Sequence, residues 1–165
     1  MIILGVDPGT AITGYGILKI QNPKSKIQNR LTCLGYGSIR TNPAAPMAER
    51  LKKIHDELNK LINKHKPSIL AVENIYFFKN LKTALPVSQA KGVILLAAAQ
   101  KNIPAREFTP LQVKMAVSGY GRAEKKQVQR LVQVFLGLKD IPEPDDAADA
   151  LAVAICCSGA IDRHI

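Results

Sequence analysis

The sequence predicts an α/β domain: a mixed sheet of three antiparallel strands followed by two parallel ones, flanked by helices. Three observations carry that expectation. Ile2-Ile3-Leu4-Gly5-Val6 and Ile69-Leu70-Ala71-Val72 are short, continuous apolar runs of the kind that form central strands buried on both faces. Between them lies an apolar stripe at helical spacing, and a helical crossover joins parallel strands with a right-handed turn. Behind Asp145-Asp146-Ala147-Ala148-Asp149 runs a stretch apolar enough for a buried C-terminal helix.

Each element has a local cause. The first strand covers residues 1–7 and turns at Pro8-Gly9-Thr10. Thr13 to Ile20 returns as the second strand, where Gly14 and Gly16 mark a bulge or a close backbone approach. The polar stretch from Gln21 to Arg30 is a hairpin loop, and Leu31 to Arg40 completes an antiparallel meander. Met47, Leu51, Ile54, Leu58, Leu61 and Ile62 give the first helix one apolar face, and Pro67 stops it. The fourth strand ends at Glu73. Lys82 to Gln100 is helical, with Pro86 placing the start near Leu85, because proline is comfortable only in a helix's first turn. Its later part, Val93 to Ala99, is apolar all round and needs cover on more than one side, from within the fold or from a partner subunit. Ala105 to Phe108 is the fifth strand. Leu111 to Val117 and Ala123 to Leu136 are helices separated by Ser118-Gly119-Tyr120-Gly121, the second with Val128, Leu131, Val132 and Phe135 on one face. The last helix runs from Asp146 to Ile161.

Length and composition bound the function. The 165 residues are expected to form one domain, residues 1–165, with a substantial core. No apolar run approaches the roughly 20 residues of a membrane span, and the N-terminus lacks the charged opening of a signal peptide. Three cysteines in no metal-ligand or disulfide pattern read as structural thiols, and the expected setting is cytoplasmic with no membrane partner. The net charge is +10 and is unevenly placed. Between Tyr76 and Lys139 stand eleven bases and two acids, whereas Asp140 to Asp149 holds five acids and no base. Such segregation favours a polyanionic partner, nucleic acid first.

The chemistry lies at the ends of the apolar runs. Asp7 closes the first, Glu73 closes the fourth strand, and Asp146 and Asp149 share one face of the last helix at i and i+3. Parallel pairing of the first and fourth strands brings Asp7 and Glu73 to one sheet edge. Asp7 also fits an ordinary turn and Asp146 an ordinary helix cap. Asp149 and Glu73 have no such use, and the conjunction points to a four-acid site for hard divalent cations. Two such ions roughly 4 Å apart activate a water and stabilise the leaving oxygen of an in-line displacement at phosphorus. Lys114 and Lys125 flank the Gly119-Tyr120-Gly121 break, where lysines and turn N–H groups are placed to meet phosphate. Tyr76-Phe77-Phe78, followed by Lys79, is placed to stack on unpaired bases or to close a core. His55, His65 and His164 have no metal-ligand spacing.

With these residues in view, the chain resembles the RuvC-type Holliday junction resolvases over essentially its whole length. The likeness rests on Gly5-Val6-Asp7-Pro8-Gly9-Thr10 with Thr13-Gly14-Tyr15-Gly16, on Val72-Glu73, and on Lys79-Asn80 continuing to Gln89-Ala90-Lys91-Gly92. Further on it includes Gln112-Val113-Lys114, Gly119 to Lys125 with Gln127-Val128, and Asp146 to Ala152. It implies an RNase H-like fold, a homodimer, and a Mg²⁺-dependent endodeoxyribonuclease that cuts two strands of a four-way DNA junction in recombination and repair. Two ions per site, replaceable by Mn²⁺, and a branch-migration helicase complex as partner belong to the same implication. The family's catalytic and metal-binding acids map onto Asp7, Glu73, Asp146 and Asp149, and its basic residues near the scissile phosphate onto Lys114 and Lys125. DNA contacts map onto Tyr76, Lys79, Lys114, Arg122 and Lys125. The family more often shows Phe where this chain has Tyr76, with Phe77 and Phe78 beside it, and Pro86 is unusual in the helix associated with dimerisation. Two other classes compete: a phosphotransferase of the actin and sugar-kinase type, which shares Asp7-Pro8-Gly9-Thr10 but needs a second lobe around ATP, and a catalytically silent branched-DNA-binding protein.

Overall fold

The structure is a computed structural model, which describes residues 1–21, 31–74 and 81–162. Ten elements follow one another: β1 (Ile2–Asp7), β2 (Ile12–Ile20), β3 (Leu31–Arg40), α1 (Met47–His65), β4 (Ile69–Glu73), α2 (Leu81–Gln100), β5 (Ala105–Phe108), α3 (Pro110–Ser118), α4 (Lys125–Leu136) and α5 (Asp145–Asp162). The strands form one sheet in the order β3-β2-β1-β4-β5. The first three pair antiparallel, and β4 lies parallel to both β1 and β5. This is the predicted mixed sheet.

Helices cover both faces, and two cores result. Leu4, Val6, Ile17 and Leu70 pack against Ile54, Leu58 and Ile62 of α1 and Ala90, Ile94, Ala97 and Ala98 of α2. On the other face Ile3, Leu18, Ile69 and Ala71 pack against α5, with Val113 and Val117 of α3 and Val128 and Val132 of α4 behind. α5 therefore lies between the sheet and two further helices, and is buried from Ala150 to Ser158. That position is why its sequence is apolar all round. Cys156 and Cys157 sit in this buried stretch.

Two expectations need correction. α2 begins at Leu81, a full turn before the position that Pro86 points to, and carries Pro86 inside it. The proline forfeits one backbone hydrogen bond in the second turn. Ala84, buried one half-turn ahead of it, keeps that end of the helix packed. Phe135 is not on the buried face of α4. It is 48% exposed, and the core side of the helix is Val128, Gln129 and Val132. The helix stops at Gly137, whose left-handed conformation turns the chain back. Leu138 then packs against the core from beyond the cap.

The circumferential apolarity of α2 is resolved more simply. One face is buried in the fold, and the other leaves Leu85 65% and Leu96 52% exposed. Leu85, Gln89, Gly92, Leu96 and Ala99 form this exposed line at alternating steps of four and three.

Candidate active site

Strand alternation assembles the acids. In β1, Ile3 and Gly5 point to the α5 face, so Asp7 does too. In β4, Ile69 and Ala71 point the same way, which puts Glu73 beside it. The parallel register pairs Val6 with Val72, so the two acids leave adjacent strands at the same level. Asp7 is also the antiparallel partner of Gly14 on β2. Gly14 has no side chain because α5 begins there: a Cβ on it would lie 1.9 Å from the carbonyl oxygen of Asp146. Gly5 admits the next turn likewise, its virtual Cβ lying 2.2 Å from the Ala150 carbonyl oxygen. The helix carrying Asp146 and Asp149 is thereby pressed onto the strands carrying Asp7 and Glu73.

The turn after Asp7 is braced from several directions. The buried hydroxyl of Thr13 donates to the Gly9 carbonyl at 2.6 Å. Thr41 Oγ1 donates to the Thr10 carbonyl at 2.5 Å and accepts from Arg50 Nε at 2.9 Å. A Cβ on Gly9 would meet the Ile12 carbonyl oxygen at 2.1 Å, so the turn closes only with glycine there.

The electrostatics record crowding. Burial, then the charges of Glu73, Asp149 and Asp146, push Asp7 up to about 8, against the opposing pull of Lys125. Burial and Asp149 also raise Glu73, which is held back by a hydrogen bond with Asp7 and by Lys114 and Lys125. Burial raises Asp149 as well, again opposed by Lys125. Lys125 Nζ stands 3.0 Å from Asp149 Oδ2 and 3.3 Å from Asp145 Oδ2. Burial works against its charge, but these two carboxylates outweigh that and raise its pKa. Lys125 opens α4, where a cation opposes the helix dipole by about 0.3–1 kcal/mol. Its acidic neighbours are the compensation. Asp145 and Asp146 in the first turn of α5 suit the dipole of that helix.

Among the described residues, no three such groups close around a common point as a finished ligand sphere. The acids are an open donor set, and their chemistry fits a hard divalent cation. All the donors are carboxylate oxygens, and burial together with the neighbouring acids raises Asp7 to about 8, a cost that a cation among them would relieve.

The basic candidates fare unequally. Lys114 and Lys125 both reach the cluster, each opposing the rise of Glu73. Arg122 is exposed between α3 and α4. Tyr76 and Lys79 lie outside the described residues, as do Phe77 and Phe78. The Gly119 turn is the C-cap of α3 and not an open phosphate cradle. Gly119 N donates to the Met115 carbonyl and Tyr120 N to Ser118 Oγ, so those N–H groups are already used. Sequence reasoning passed over Asp145 as a site residue. It is exposed, and its neighbours Gln129 and then Lys125 lower its pKa, with Lys125 Nζ 3.3 Å from its Oδ2. Its signal was present in the acid run itself, but nothing in the sequence pairs it with Lys125.

Comparison with known proteins bears on this arrangement. Residues 3–157 match the family described as crossover junction endodeoxyribonuclease RuvC. The curated protein of that name from Heliobacterium modesticaldum is 53% identical over 158 residues, covering 96% of this chain and 94% of its own. The structure of Thermus thermophilus RuvC in complex with a Holliday junction substrate superposes with a TM-score of 0.91 at 31% identity, covering 99% of this chain and 96% of that one. The yeast mitochondrial Holliday junction resolvase Ydc2, 15% identical, shares the fold with a TM-score of 0.62, covering 93% of this chain and 77% of its own. The sheet is accordingly of the RNase H-like class, and the chain belongs to the RuvC family of crossover junction endodeoxyribonucleases.

Proposed function

We propose that this chain resolves four-way DNA junctions as a homodimer, cutting two opposed strands by metal-dependent phosphodiester hydrolysis. The observation that carries the reading is the meeting of Asp7, Glu73, Asp146 and Asp149 at one sheet edge, with Lys114 and Lys125 beside them. A family relative solved on a junction substrate supports the choice of DNA.

Asp7, Glu73, Asp146 and Asp149 would hold the cations, with Mg²⁺ the expected metal, two per site, and Mn²⁺ able to substitute. Bound there, the metal supplies a nucleophilic water and Lewis-acid stabilisation of the leaving oxygen. Because Asp7 is raised to about 8 without metal, holding a cation there would be linked to release of its proton. Lys125, held at Asp149 and Asp145, would neutralise the scissile phosphate. Asp145 would orient that lysine. Lys114 approaches from α3 and neutralises the phosphate from the Glu73 side. Arg122, Lys79 and the aromatic side chain of Tyr76 are proposed to hold the DNA arms and the opened junction centre.

The dimer reading follows from α2. Its exposed line, which includes Leu85 and Leu96, is an apolar seam on a helix whose other face is satisfied. Two sites joined there would cut two strands in one encounter.

The test is cleavage of a synthetic four-way junction with Mg²⁺, mapping both strands against a linear duplex control. Paired symmetric nicks in opposed strands of the junction alone are expected. Cutting of both substrates would mean a general nuclease, and binding without cutting over varied sequences would mean a binding protein. Asp7→Asn and Glu73→Gln should each abolish cleavage and leave junction affinity within a few-fold; joint loss of binding would make the acids structural.

A further inference from the structure

We propose that Lys91 on α2 is a positioning residue for Glu73, holding the chain where it leaves the sheet. The inference rests on the reading of Glu73 as a catalytic acid and adds a group outside the acid cluster. Lys91 is half-buried. Its side chain is only 16% exposed, and a lysine so far removed from water needs partners. It has two. Nζ donates to Asn74 Oδ1 at 2.9 Å and to Glu107 Oε2 at 2.5 Å.

The identity of those partners gives the contact its meaning. Asn74 directly follows Glu73, and its backbone N–H donates to the Phe108 carbonyl at 2.7 Å. Glu107 lies on β5 and is the register partner of Val72, the residue before Glu73. Lys91 thus ties α2 to both sides of Glu73, through the residue after it and through the strand beside it. The carboxylate of Glu73 faces α5, whereas Asn74 is caught from the α2 side, so the clamp does not compete with the acids for the same space. Glu73 ends a strand of only five residues, and its backbone angle there sets where the carboxylate falls. An error on the order of 1 Å in such a group costs up to about a hundredfold in rate. Lys91 also neighbours Gly92 on the exposed line of α2, so the helix proposed to face the second subunit is bonded to the residues that flank the acid.

An ordinary structural ion pair would lose stability, binding and cleavage together. A positioning residue loses the chemical step alone. Lys91→Met should lower the single-turnover cleavage rate at saturating enzyme between about ten- and a hundredfold. Junction affinity measured without metal should stay within about twofold, with the oligomeric state unchanged. Lys91→Arg, which keeps charge and two donors, should restore most of the rate. Asn74→Ala leaves the Lys91–Glu107 pair in place and should reproduce the loss; the double variant should be no worse than either single one. If Lys91→Met fails to fold, Asn74→Ala carries the test. A wild-type rate in either variant, or binding lost in step with cleavage, or additive losses in the double variant, would overturn the proposal. Glu73→Gln is measured in parallel: normal cleavage by that variant would overturn the reading of Glu73 itself, while an inactive Glu73→Gln beside a fully active Lys91→Met would overturn only the role of Lys91.

Discussion

Asp7 shows what one residue in this site must tolerate. Its carboxyl is raised from 3.8 to about 8 by burial first and by neighbouring acids second. Between those values the folded protein holds a proton that the unfolded chain has lost, so metal-free stability must fall as pH rises across that window and level off above it. The melting temperature of the protein in chelator should therefore drop between about pH 5 and pH 8. Asp7→Asn should flatten that slope and raise the value at the alkaline end, at about 2–4 °C for each kcal/mol recovered. A slope unchanged by the substitution would place the proton elsewhere. The same proton competes with metal, so cleavage should quicken over this range at limiting Mg²⁺ and lose that dependence when Mg²⁺ is in excess. The four acids were legible in the sequence because each closes or opens an apolar element. Lys91, Asn74 and Glu107 were not: their bonds join three elements distant in the chain, and no period or spacing encodes such a meeting. Nor does anything in the sequence pair Asp145 with Lys125.

At the scale of elements, the strands were readable because buried runs and stripes impose themselves on sequence at periods of two and 3.6. The errors fell where tertiary packing overrode a local rule. Pro86 is tolerated inside α2. Phe135 is exposed, and Leu138, beyond the Gly137 cap, packs against the core instead. The role of Gly14 was visible only as a hint of close approach; its partner turned out to be the backbone of Asp146. Gly14→Ala should push the start of α5 from the sheet, costing about 1–3 kcal/mol as overpacking. Cleavage should fall by more than about tenfold, since a small displacement of acids is amplified in rate. Calorimetry and single-turnover kinetics on the same preparation check both. Leu96→Glu tests the outer face of α2. At 52% exposure it should alter monomer stability by no more than about 0.5 kcal/mol. Light scattering should nevertheless show a monomer, and paired nicking should fall to single nicks. An unchanged dimer would put the interface elsewhere.

Across the whole molecule, charge is sorted by task. The excess of +10 is concentrated in the span from Tyr76 to Lys139, and the acids gather where that span meets α5. Junction affinity should fall steeply with salt, with a logarithmic slope of about −5 for some six phosphates neutralised. A flat response would dismiss the basic span as the DNA surface. The layered build also fixes what the site can become. Where β1 and β2 meet α5, main chain touches main chain at Gly5 and Gly14, and Gly16 lies against Leu151. A seam lined with side chains can be retuned by rotamers, one methylene at a time. At Gly14 this one has no such dial, because its spacing there is set by peptide groups in contact. The gap across which the acids face one another is therefore a constant of the scaffold, and a descendant seeking a larger ion would have to change the ligands themselves.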